Sequence, residues 1–186
     1  MSTLYLAAMG PRVADEVWEH VVFDGRRHVS VLSLPGLRER SVKIASAGKI
    51  FGMTGWKVGM VCAAPELMKG LSKAHQFLTF TTPPSLQHAV AYGLGKDPAW
   101  FEDMRAGLQR SRDRLADGLA ALGLTPLPSA GTYFLNVDLT ALDPRLDDEA
   151  FCRDMVERHG VAAIPVSAFY ARDAVRSVVR FCFAKT

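Results

Sequence analysis

Between its Pro and Gly residues the chain carries short apolar blocks whose spacing switches several times from strand-like to helix-like, and this alternation confines it to an α/β organisation. Residues 42–45 and 58–63 read as short buried strands, separated by a Gly-rich segment from Gly48 to Gly59. Pro65 opens a helix whose apolar residues Leu67, Met68, Leu71 and Ala74 share a face. Proline suits a first turn because its missing N–H has no intrahelical partner there. The spacing predicts a longer helix over 99–122, where Phe101, Leu108, Leu115 and Leu122 recur every seven residues and Met104 and Leu119 fill the same stripe. Asp97 and Pro98 suit its start, and Gly123 its end. A turn over 126–131, a strand over 132–137, a helix over 147–158 and strands over 161–164 and 177–184 follow, the pattern of a small α+β unit. The domain break is expected near Lys96 to Pro98, which gives residues 1–97 and 98–186.

With 186 residues, 49% of them apolar, the chain can bury a real core. Its 22 basic and 19 acidic residues nearly cancel, so the net charge of +3 offers no field for nucleic acid or an anionic membrane. No stretch approaches the roughly 18 apolar residues that span a bilayer, and the N-terminus lacks a basic start, so a cytoplasmic protein is expected. Cys62, Cys152 and Cys182 are widely spaced among apolar neighbours and are expected as buried, reduced thiols. The five histidines show no ligand spacing, and no metal site is expected.

The chemistry concentrates in residues 46–59, where Ser46, Lys49 and Lys57 share a tight Gly-rich turn between two strands. Glycines let backbone approach a ligand closely, and hydroxyl, ammonium and backbone N–H groups together suit a phosphate. A lysine confined beside another cation can be pushed towards the neutral amine that forms Schiff bases. A P-loop is excluded, because Lys49 is followed by Ile50 and the glycine spacing is wrong. A structural loop with solvated lysines is the plainer alternative on composition alone.

Ser46-x-x-Lys49, then Phe51, then Thr54-Gly55-Trp56-Lys57-x-Gly59 resembles the cofactor-lysine signature of class I and II aminotransferases, which are fold-type I pyridoxal-phosphate enzymes. The similarity extends upstream to Asp15-Glu16-Val17-Trp18-Glu19-His20 and Phe23-Asp24-Gly25. Downstream it takes in Ala163-Ile164-Pro165-Val166-Ser167-Ala168-Phe169 and Val179-Arg180-Phe181-Cys182-Phe183. It covers nearly all of the chain from Asp15 onward and is closest to the kynurenine aminotransferase and glutamine transaminase K branch, with relatives acting on methionine or succinyl-diaminopimelate.

The resemblance implies an α/β fold made of the later part of a fold-type I large domain followed by a small C-terminal α+β domain without its usual terminal helix. It implies pyridoxal 5'-phosphate held as a Schiff base on Lys49, which then moves a proton between the substrate Cα and the cofactor. Asp15 matches the carboxylate that pairs with the pyridinium nitrogen and keeps it protonated. Ser46 and Lys57 match the groups that hold the cofactor phosphate. Arg180 matches the arginine that grips the substrate α-carboxylate, where a planar fork offers two parallel bonds. Phe80 lies in a stretch, 76–84, that resembles the segment reaching across the interface of a homodimer into the neighbour's substrate pocket.

Trp18 stands where many members have a tyrosine that bonds the cofactor's ring oxygen, and its indole offers only an N–H donor. Family members are much longer, with an N-terminal half preceding the residue that matches Asp15, and Gly10-Pro11-Arg12 interrupts the expected apolar strand. The chain is therefore expected to be truncated, binding the cofactor weakly if at all. Amino-group transfer between an amino acid and a 2-oxo acid is the expected activity. A β-elimination C–S lyase is an alternative on the same residues, and a non-catalytic remnant or interaction fragment is the alternative from another class.

Overall fold

The computed structural model describes residues 10–184. They form two units, one ending at Glu102 and the other beginning at Asp103.

In the first unit β1 (Arg12–Asp15) pairs in parallel with β2 (Ser41–Ser46), and β3 (Gly59–Ala63) pairs antiparallel on the other side of β2. β1 starts at Arg12, in register opposite Ser41, and the strand expected ahead of Gly10 lies outside the described residues. The segment after β2, expected as a Gly-rich turn, opens instead with one helical turn, α1 (Ala47–Ile50). Ala47 and Gly48 are small enough to be buried there, and Ile50 anchors the turn's far end in the core. Next come α2 (Pro65–Leu78) and α3 (Pro84–Leu94). The second of these, which contains His88 and carries Leu86, Val90 and Leu94 four residues apart, has no bounds among the elements expected above. Val90 packs with Ala47 and Val58, flanked by Phe51, Met53, Met60 and Leu86, so α3 supplies part of the floor beneath the lysine turn.

The long helix α4 (Pro98–Ala121) straddles the two units. Its start is as expected: the Asp97 side chain accepts the Ala99 N–H at 2.8 Å. Gly123, at φ +83°, takes the left-handed conformation just beyond its end. The unit boundary falls inside this helix rather than before it because its first turn packs backwards. The Phe101 ring stacks on His20 at 4.7 Å, and Trp100 lies 5.7 Å from Phe51. No residue of α4 is fully buried, and Leu122, the last of the expected apolar stripe, lies exposed past its end.

The second unit holds an antiparallel sheet in the order β4 (Thr125–Pro126), β5 (Phe134–Asp138), β7 (Val178–Cys182), β6 (Ile164–Pro165), with α5 (Asp148–His159) between β5 and β6 in the chain. Leu135, Val137, Val179 and Phe181 alternate inward from the two central strands and form its core. Asp147 caps α5 through its side chain, and Gly160 ends it at φ +66°. The strand expected over 161–164 is observed as Ile164–Pro165, and β4 lies where no strand was expected; both outer strands are short, and Pro126 and Pro165 cannot donate to a ladder. Cys152 is buried and Cys182 half-buried, but Cys62 is exposed, contrary to the expectation for all three thiols. It lies on the edge strand β3, where Val61 on the opposite face is also uncovered.

Candidate active site

Parallel strands present their C-terminal ends to ligands in open α/β sheets. Here the ends of β1 and β2 carry Asp15 and Ser46, and the chain turns directly from Ser46 into α1 with Lys49. The register places Asp15 beside Ile44, two residues short of Ser46. Asp15 is exposed and accepts the Val17 N–H at 3.2 Å. Lys49 is half-buried, with its Nζ 5.2 Å from the centre of the Trp18 ring, within cation–π range. Ser46 occupies the N-cap of α1 without its side chain capping the helix. Gly59 stands opposite Ser46 in the ladder, and a Cβ there would meet the Ala45 carbonyl at 3.1 Å, so a larger residue would push the strands apart by a few tenths of an ångström. Gly93 of α3 is equally constrained, since a Cβ would sit 2.6 Å from the Phe51 ring just past Lys49.

Lys57 and Phe80 both adopt positive φ, at 57° and 63°. Such backbone costs energy for residues with a Cβ and gathers at functional sites. Lys57 lies two residues before Gly59, so the hairpin brings it to the same end of β2 as Ser46. Phe80 follows α2 and is 72% exposed. An open cleft of about 360 Å³ lies nearby, lined by Val58, Met60, His75, Thr82, Val90 and Leu94 among others, but not by Asp15, Ser46, Lys49 or Lys57.

Behind Asp15, on the opposite face of β1, lies a charge network absent from the sequence reading. Glu16 is buried and accepts the Val31 N–H at 2.7 Å and pairs with His28 Nε2 at 2.9 Å. Burial opposes its charge, but the Val31 and His28 contacts outweigh that and hold its pKa below the ordinary carboxylate value. Lys43 of β2 lies 3.7 Å from Glu16 and forms a close ion pair with Glu19. Burial works against this ammonium too, and Glu19, with Glu16 behind it, raises its pKa nonetheless. Glu16, Glu19 and His28 have the spacing to hold a cation. The Lys43 ammonium already meets both carboxylates, so the cluster is balanced without one.

In the second unit, Arg180 on β7 stands opposite Asn136 on β5, whose Oδ1 accepts its Nε–H at 3.1 Å. The guanidinium lies 4.6 Å from the Phe169 ring and 5.2 Å from that of Phe134. Among the described residues, no carboxylate or carbonyl accepts from its two Nη nitrogens. Phe169 closes a short 3-10 turn (Val166–Phe169) that is fixed from below, where the fully buried Asp148 accepts Ser167 N–H at 2.7 Å and Ser167 Oγ–H at 2.9 Å. Asn136 and Asp148 escape a sequence reading, since only strand pairing and the α5 packing bring them to their partners.

The chain belongs to the class I and II aminotransferase family, whose sequence pattern matches residues 7–186. It is 42% identical over 173 residues to methionine aminotransferase of Escherichia coli, covering 93% of this chain and 45% of that protein. To human kynurenine–oxoglutarate transaminase 1 it is 35% identical over 193 residues, covering 93% and 46%. The solved structure of N-succinyldiaminopimelate aminotransferase from Mycobacterium tuberculosis superposes with a TM-score of 0.86 at 42% identity, over 92% of this chain and 44% of that one. The fold is thus that of the fold-type I aminotransferases, and the chain spans a little under half the length of these relatives. No helix among the described residues is long and apolar enough to cross a membrane.

Proposed function

We propose that this chain is the catalytic-lysine portion of a pyridoxal-phosphate-dependent aminotransferase that passes an amino group between an amino acid and a 2-oxo acid. The observation that carries the reading is Lys49, set just past the end of β2, next to the strand that ends on Asp15 and against the Trp18 ring, in a chain of this family. The donor set fits the cofactor. The Ser46 hydroxyl and the Lys57 ammonium converge on one end of β2, and neither has a hydrogen-bond or ion-pair partner among the described residues.

When bound, pyridoxal phosphate supplies an electron sink for the charge left on the substrate Cα. Lys49 would hold the cofactor and, freed from it by the substrate amine, would move a proton between the substrate Cα and the cofactor's own carbon. Asp15 would pair with the pyridinium nitrogen and keep it protonated by charge. Ser46 and Lys57 would hold the phosphate, and the Trp18 indole N–H would be the donor available to the ring oxygen. Arg180 grips the substrate carboxylate through its Nη edge, with Asn136 fixing the Nε side and Phe134 and Phe169 its faces. The active assembly is a homodimer in which the exposed Phe80 reaches the neighbouring protomer's pocket.

Borohydride reduction after incubation with pyridoxal phosphate, followed by peptide mapping, tests the reading. The label is expected on Lys49, and a label on Lys57 or Lys43 overturns it.

A further inference from the structure

We propose that Lys43 is a positioning residue that holds Trp18 over Lys49 by clamping the two carboxylates on either side of it in the chain. Trp18 lies in the turn that leaves β1, with Glu16 two residues before it and Glu19 one residue after. Both acids meet a single ammonium on the neighbouring strand, Lys43 Nζ, closely at Glu19 and at 3.7 Å at Glu16. The rest of the turn is laced to the same strand and to itself. Glu16 N–H donates to the Ile44 carbonyl at 2.8 Å, Glu19 N–H to Glu16 O at 3.2 Å and Val21 N–H to Trp18 O at 2.9 Å. On the far side Glu16 is anchored by His28 and the Val31 N–H.

Lys43 and Lys49 belong to one continuous run of chain, β2 followed by α1. A single stretch of backbone therefore fixes both the clamp and the amine that the clamped ring covers. Alternation along β1 sends Asp15 to one face and Glu16 to the other, so the clamp holds the turn from behind and leaves the face of Asp15 open. Lys43 is only 16% exposed in its side chain, and such partly buried, multiply bonded pairs order a segment better than surface ion pairs do. Removing the ammonium leaves two carboxylates facing each other with no cation between them, which drives the turn off β2 and takes the indole away from Lys49.

The catalytic value of this arrangement rests on the role of Lys49 proposed above, whereas the placement itself is measurable without the cofactor. Amine labelling by reductive methylation, quantified residue by residue by mass spectrometry, reads how covered Lys49 is, with the exposed Lys57 as internal standard. Lys43→Met is expected to raise the Lys49-to-Lys57 labelling ratio about two- to fivefold, the range spanned by loss of a partly exposed cation–π contact. Lys43→Arg should restore it, Trp18→Ala should match Lys43→Met, and Glu19→Gln should move the ratio the same way by less. Glu19→Gln also provides the reading should Lys43→Met not fold. An unchanged ratio in Lys43→Met or, failing that, in Glu19→Gln, while Trp18→Ala raises it, overturns the clamp, as does an arginine variant that fails to restore it. A parallel titration with pyridoxal phosphate separates the two ideas. Absence of any Lys49 adduct in the parent protein counts against the proposed function, while the labelling ratios still decide the clamp.

Discussion

The two sheets of this chain bury their strands very differently. In the second unit the central pair β5 and β7 closes its own core, with Leu135 1% exposed and Val137 and Val179 fully buried. In the first, Val13, Ile44 and Val61 lie bare on the strands beside the lysine turn, and Phe77 at the end of α2 is 87% exposed. Within the described residues, backbone register and a few buried contacts under its turn are what place Lys49. The arginine of the second unit, by contrast, sits on a strand whose own packing leaves it little freedom.

The sharpest break of that comparison is at Lys49. In any complete protein containing this segment, Lys49→Ala is expected to abolish borohydride-trapped cofactor and all transamination, because no other amine shares α1; retained trapping would move the chemistry to another lysine. Next comes stability. Leu135→Ala should cost about 2 to 5 kcal/mol in denaturant unfolding, as truncations in closed cores do. Val13→Ala, at an exposed position, should stay within about 0.5 kcal/mol. Similar losses for the two would mean that Val13 is covered in solution.

Arg180→Lys should weaken amino acid binding by about 1.5 to 3 kcal/mol while sparing cofactor binding, since a lysine cannot reproduce the guanidinium fork or its bond to Asn136. Substrate titration of the cofactor absorbance checks it, and an unchanged midpoint would leave Arg180 a structural residue. The smallest effect separates the thiols. Cys62, exposed on β3, should react with a thiol reagent in the folded protein, while Cys152 should not. Burial, helped by the charge of Asp148, pushes the Cys152 thiol from the usual 9.0 up to about 11. The sign follows from linkage. The folded state keeps its proton longer than the unfolded one, so this contribution to stability is whole below pH 9 and is lost as the pH climbs through about 11. A Cys152→Ala protein should lack that alkaline loss, and the same loss in both proteins would assign it to another group.

The sequence by itself determined what depends on neighbours along the chain. The periodicity of residues 99–122 and the caps at Asp97 and Gly123 specified α4, because helix bonds and caps close within a few residues. The lysine signature pointed to the family by resemblance, and it could do so because its residues lie close together along the chain. Only the tertiary structure decided what depends on residues far apart in sequence. It brought Val90 of α3 under the lysine turn, Asn136 to Arg180, Asp148 to Ser167, and Lys43 between Glu16 and Glu19. Strand pairing and side-chain packing set those contacts, and neither leaves a period in the sequence that a local reading can detect.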